Sequence, residues 1–331
     1  MTNRDHLEPI DASTAQELFL DHKATNCTEA TVRNHRYRTN HFVRWCDEVG
    51  ICNLNDLTGR DIQKYRLWRK EDGDLSKLTL NGQMSTIRVF LKWAASIEAV
   101  PENLYDKVMV PRVTSEEEQR DETLGAETAQ EILDYLSKYH YASKKHVVMA
   151  VLWATGMRIG GAHSLDVGDV DSEEECLRLE HRPDQGTNLK NGKAGERPIA
   201  ITPELAEALD DYIAGPRKDV TDEYGREPLF TSSGGRLART SLRRLIYNVT
   251  SPCFRSEPCP GCKERPEAKC PEAVSPHAIR RGSITHHLSN DVPVEIVSDR
   301  MNVSRKVLDK HYDKRSEEVK LEQRRSFLGN V

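Results

Sequence analysis

The stretch from Arg112 to Thr123, RVTSEEEQRDET, carries five acids and almost no apolar side chains. Such a run cannot enter a core, because each buried carboxylate would need a partner or a proton. It reads as an exposed linker, 112–123, between a first domain, 9–111, and a second, 124–331. A length of 331 residues suits two domains, and a hydrophobic share of 37% can build a core in each. The formal net charge of −5 gives no general attraction for nucleic acid, so such a partner has to be argued from local basic clusters. No apolar run approaches the roughly 18 residues of a membrane span. The N-terminal MTNRDHLEPIDAS has no signal-type apolar stretch, so a cytoplasmic protein with reduced thiols is expected, with no membrane partner.

Residues 9–111 read as a bundle of four or five helices. Ser13 and Gln16 have the spacing of a capping box. A second helix is expected from about Thr28 to Glu48, with Val32, Thr39, Phe42, Val43 and Cys46 inward. Its other face carries Arg33, Arg36, Arg38 and Arg44. Those arginines read either as a solvated surface or as phosphate contacts along a duplex. A third helix begins near Thr58. A fourth begins near Thr79, with Leu80, Met84, Ile87, Leu91 and Ala94 at helical spacing.

The second domain mixes helices with a small antiparallel β-sheet. Helices are expected over Ala126–Lys138 and His146–Trp153, the latter apolar enough to be buried. Thr155-Gly156 stops it, and Arg158 follows at the start of the next helical turn; its plain reading is a structural ion pair. Cys176–Arg182 and Arg197–Ile201 read as paired strands, and the loop between them carries Lys190 and Lys193. Helices follow over Pro203–Ile213 and Ser241–Val249, with a turn at SSGGRLAR between them.

Cys253, Cys259, Cys262 and Cys270 crowd into an insert, 252–271, that is rich in proline and poor in apolar residues. Such a segment cannot fold on burial alone. Four thiols, two of them in a Cys-x-x-Cys knuckle, suit a tetrahedral structural zinc site; a loop with free thiols is the other reading.

After the insert come helices over about His277–Ser289 and Val292–Asn302, then one carrying Tyr312 in a basic setting. His277 and Arg280 form a His-x-x-Arg, with Arg281 beside it. These pieces in this order resemble the tyrosine recombinase, or phage-integrase-type, family. ATGMRIGGAHSLDVGDVD resembles its first arginine box and SPHAIRRGSITHHL its second. The resemblance covers most of the chain. It implies a mainly α fold: a helical, SAM-like core-binding domain followed by a mixed α+β catalytic domain. The linker and insert are similar to those of archaeal, particularly haloarchaeal, members.

The resemblance implies a catalytic set of Arg158, Lys190 (with Lys193 in reserve), His277, Arg280, Asn302 and the nucleophile Tyr312. Two positions depart from the family pattern. Met301-Asn302 stands where Gly-His is usual, with Asn302 able to donate a hydrogen bond to phosphate oxygen. Gly161 stands where an acid often supports the first arginine. Arg33, Arg36, Arg44 and Arg281 are the DNA-contacting candidates.

Tyrosine titrates near 10 and needs cationic neighbours to attack a phosphodiester at neutral pH. The implied product is a 3′-phosphotyrosine, which keeps the bond energy for rejoining. Two guanidinium forks suit the charge that gathers on the non-bridging oxygens. The lysine is the implied acid for the departing 5′ oxygen and His277 the acid–base partner. No cofactor is expected in catalysis, and the partners implied are double-stranded DNA and three further copies of the chain in a tetramer on paired sites. The rival readings are a type IB topoisomerase-like activity, a non-catalytic DNA-binding regulator, and a zinc-organised interaction module.

Overall fold

Polar side chains start each helix of the N-terminal half. The computed structural model describes residues 6–114, 117, 122–257, 259, 270–311, 321 and 325. Asp11 caps α1 (Ala12–Ala24) by accepting from Ser13 N and Thr14 N. The cap is thus Asp11, not Ser13, and Gln16 is buried, donating to Thr39 Oγ1 at 2.6 Å and Asn40 Oδ1 at 2.7 Å. Thr28 caps α2 (Glu29–Val49), and Thr58 with Asp61 closes a capping box on α3 (Gly59–Asp72). Ser76 caps α4 (Lys77–Ser96).

The chain divides into two compact units, Met1–Arg120 and Asp121–Val331, a boundary inside the acidic stretch. The first has its own core of Phe19, Phe42, Trp45, Tyr65 and Phe90, packed largely edge to face. Trp45 joins the inner stripe of α2, while Val32 and Val43 are only partly covered.

In the second unit, α5 (Ala126–His140) packs on α6 (Lys144–Thr155), which is buried along most of its length as its apolar sequence requires. Gly156 ends α6 at φ +56, and a Cβ there would sit 2.7 Å from Met301 Sδ. Six residues, Ile159–Ser164, form the short α7. β1 (Val170–Asp171), β2 (Cys176–Leu179) and β3 (Arg197–Ala200) make an antiparallel sheet, with Leu177 opposite Ile199 and Leu179 opposite Arg197. β2 is shorter than Cys176–Arg182: its pairing with β3 ends at Leu179 opposite Arg197, and a 3-10 segment follows at Pro183.

α8 (Pro203–Ala214) and α9 (Arg239–Val249) flank a small hairpin of β4 (Thr231–Ser232) and β5 (Gly235–Arg236), where the sequence suggested only a turn. The last described helices are α10 (Pro276–Ser289), α11 (Val294–Met301) and α12 (Arg305–His311). They share a small core of their own: Ile284, Leu288, Val297, Met301, Val303 and Leu308. Among the described residues no helix is long and apolar enough to cross a membrane.

Candidate active site

The end of α11 is where the candidate residues meet. A helix C-terminus leaves carbonyls without intrahelical partners and carries partial negative charge, so it attracts cationic donors. Arg280, 2% exposed, donates from Nη2 to Met301 O at 2.8 Å and from Nη1 to Gly156 O at 2.6 Å. Arg158, the N-cap of α7, donates from Nη1 to Asn302 O at 3.2 Å. Arg197, at the start of β3, donates from Nε to Arg300 O at 2.8 Å. Three other elements (α7, the β2–β3 hairpin and α10) are thereby tied to three consecutive residues at the end of α11, 300–302.

A pocket lies beside this junction, lined among others by Arg158, Lys190, Asn191, Arg197, Arg280 and Asn302. Among the described residues its lining includes four cationic side chains and no carboxylate. Such an arrangement is suited to an anion. Burial, Arg158 and Arg300 push Arg197 down to about 10, with Asp299 opposing. Lys190 is exposed and lines the pocket, whereas Lys193 does not. No carboxylate pairs with Arg158 among the described ion pairs. The absence of an acid at Gly161 is met instead by the Asn302 carbonyl.

His277, in the first turn of α10, sits at the edge of this cluster. Desolvation, and then the charges of Arg281, Arg280, Arg158 and Lys190, push its imidazole down to about 4. The ring keeps an exposed edge but is crowded by like charge, so it rests neutral at physiological pH. The same influences place Arg158, Lys190, Arg280 and Arg281 within electrostatic reach of one imidazole.

Asn302 takes φ +46, the left-handed region that asparagine tolerates better than most residues. Its side chain faces protein: Nδ2 donates to Ala194 O at 2.8 Å, and Oδ1 accepts from Asn191 Nδ2 at 2.7 Å. Tyr312 follows the last residue of α12 and lies outside the described residues. Arg197 and Asn191 had no role in the sequence reading. Arg197 opens an alternating strand and Asn191 sits in a polar loop, so neither position carried a local signal.

In the first unit the candidate DNA contacts already have carboxylate partners. Arg33 pairs with Glu29 one helical turn away, and Arg36 grips Glu17 with both terminal nitrogens, at 2.5 and 2.9 Å. Arg44 pairs with Asp72 and lies over the Trp68 ring at 4.9 Å. Arg38 turns inward, donating to Gly82 O and Thr86 Oγ1.

In the insert, Cys253, Cys259 and Cys270 bring their sulfurs within 4.8 Å of one another, and Cys259 and Cys270 are 3.5 Å apart. Zn–S bonds of about 2.3 Å in a tetrahedron put sulfurs roughly 3.8 Å apart, so the three thiols fit three corners of such a site. Cys262 lies outside the described residues.

A model described as "Phage integrase family" matches residues 122–318, and "Phage integrase, N-terminal SAM-like domain" matches residues 17–97. The chain belongs to the phage integrase family. It is 22% identical over 286 residues to the tyrosine recombinase XerC of Corynebacterium efficiens, covering 84% of this chain and 78% of that protein. It is 23% identical over 300 residues to XerD of Mycobacterium tuberculosis, covering 85% and 86%. Among solved structures, the Tn1549 transposon integrase in complex with transposon right end DNA superposes with a TM-score of 0.67 at 17% identity, over 96% of this chain and 99% of that one. A lambda integrase dimer bound to a core site gives 0.66 at 14% identity, over 93% and 79%. At those identities the structural likeness is one of fold.

Proposed function

We propose that this chain is a site-specific DNA recombinase that cuts and rejoins strands through Tyr312. The observation that carries the reading is the pocket lined by Arg158, Lys190 and Arg280, with no carboxylate among its described lining residues and neutral His277 beside it, in a chain of this family. The Tyr312 oxygen bonds to phosphorus as the bond from phosphorus to the 5′ oxygen breaks. The tyrosine proton passes to His277, and the leaving 5′ oxygen takes a proton from the Lys190 ammonium. Rejoining reverses both transfers. Arg158 and Arg280 hold the non-bridging oxygens as charge gathers on them; one such preorganised donor is typically worth about 10²–10³ in rate.

The partner is double-stranded DNA, engaged by four copies of the chain on two paired sites, in the cytoplasm. Arg281 and the basic face of α2 contact phosphates, with Arg33, Arg36 and Arg44 exchanging Glu29, Glu17 and Asp72 for DNA. Such exchange is feasible because exposed ion pairs contribute little to stability. Cys253, Cys259, Cys262 and Cys270 hold a structural zinc. Four thiolates leave no open coordination position, so the metal shapes the insert and takes no part in the chemistry.

The test is a nicked suicide substrate cut from the DNA flanking the protein's own gene. Wild type should give a covalent adduct on a denaturing gel, and Tyr312→Phe none, with mobility-shift affinity retained. An adduct that survives in Tyr312→Phe would assign the nucleophile elsewhere.

A further inference from the structure

The β2–β3 ladder ends at the pair Leu179 and Arg197, so the loop carrying Lys190 extends beyond regular pairing. What holds it near the junction is side-chain chemistry. Asn191 donates to Asn302 Oδ1, and Asn302 donates onward to Ala194 O, a contact between segments more than a hundred residues apart. Arg197 donates to Gly195 O and Arg300 O and fixes the base of the same loop. Packing agrees with a fitted seat. A Cβ on Gly195 would come within 3.3 Å of Leu189 and 3.5 Å of Asn302 Nδ2, so the loop backbone lies close against the amide. Asn191 is the residue next to Lys190, and both line the pocket.

We propose that Asn191 and Asn302 form a clasp that seats Lys190 in the site, so that Asn302 is a positioning residue acting through the lysine rather than on the phosphate. Both ends of the Asn302 amide, Oδ1 and Nδ2, are engaged by the loop, as a latch requires. The hydrogen bonds are exposed and neutral, so the latch opens readily and the hairpin can carry Lys190 out of the site when it does.

The inference rests on Lys190 being the acid that protonates the departing 5′ oxygen. Replacing that oxygen with sulfur removes the need for an acid, because a thiol titrates near about 8.5 whereas bulk water titrates near about 15.7. Single-turnover cleavage is therefore measured on paired suicide substrates with a bridging 5′ oxygen or a bridging 5′ sulfur. The proteins are wild type, K190A, N191A and N302G. Glycine keeps the left-handed backbone at Asn302 without the amide, and thermal melting checks that each variant is folded.

K190A should lose cleavage of the oxygen substrate and recover on sulfur. N191A and N302G should be slowed about tenfold or more on oxygen, since a positioned acid is worth about 10²–10⁴, and should cleave the sulfur substrate at close to the wild-type rate. Equal losses on both substrates, or wild-type rates on both, would overturn the clasp. A K190A that fails to recover on sulfur would overturn the lysine reading, and the clasp's purpose with it. A K190A that recovers while N191A and N302G do not overturns the clasp alone.

Discussion

His277, with Arg197, is one of two site residues whose titration is strongly lowered. Its value of about 4, against an ordinary 6.5, means the folded protein declines a proton that the unfolded chain accepts. The group's contribution to stability is therefore complete above pH 6.5 and is lost as the pH falls from there toward 4. A phosphodiester brought against Arg158 and Arg280 would offset the cationic charge that depresses it. The imidazole should then titrate at a visibly higher pH in the DNA complex than in the free protein, read by NMR of its ring protons. An unchanged titration would remove His277 from contact with the phosphate. Arg280 itself is buried, 2% exposed, and donates to two backbone carbonyls, Gly156 O and Met301 O.

At the scale of elements, the insert links α9 to α10, the helix that carries His277 and Arg280. Phe254 stacks on His140 with ring centroids 5.3 Å apart, meets Tyr135 edge-on, and lies under Lys145 Nζ at 4.4 Å. On the return side, Val274 N donates to Thr250 Oγ1 at 3.1 Å, so the chain comes back beside the point where it left. A metal held by the cysteines would close this excursion just ahead of α10. Protein purified under reducing conditions should contain one zinc per chain. Chelation, or Cys259→Ser, should lower the melting temperature of the catalytic unit while leaving that of the N-terminal unit in place. A metal-free preparation that melts identically with and without a chelator would leave the cysteines as free thiols. The closest approach at α10 is at Gly282, where a Cβ would fall 2.0 Å from Leu124 O, so the helix can lie against that segment only with glycine there.

At the scale of the whole molecule, the two units hold separate cores. One is drawn from residues between Ala12 and Val108, the other from residues between Leu124 and Ile279. Two denaturant transitions are expected, and a fragment beginning at Asp121 should reproduce the one that belongs to the catalytic unit. A single transition for the full chain, absent from the fragment, would show that the cores do not fold independently.

The helical halves were legible because periodic apolar residues and caps act locally: α4 runs from Lys77 to Ser96, where the spacing of Leu80, Met84, Ile87, Leu91 and Ala94 placed it. The boundary between the two units, at Arg120 and Asp121, falls within the acidic stretch expected to be a linker. The ordered set of Arg158, Lys190, His277, Arg280 and Tyr312 could be named because the motifs that hold them resemble those of the family in order and spacing. The convergence on residues 300–302 could not be read, nor could Arg197, Asn191 or the clasp through Asn302. Apart from the Arg280–Met301 bond, those contacts join segments more than a hundred residues apart, through backbone carbonyls and amides that leave no pattern in the chain. The sequence by itself determined most of the helices, since periodicity and capping are properties of neighbours in the chain, and it named the candidate residues through motifs that resemble the family's. Only the tertiary structure decided which groups share the pocket, because proximity across the fold depends on how the α11 terminus gathers its donors.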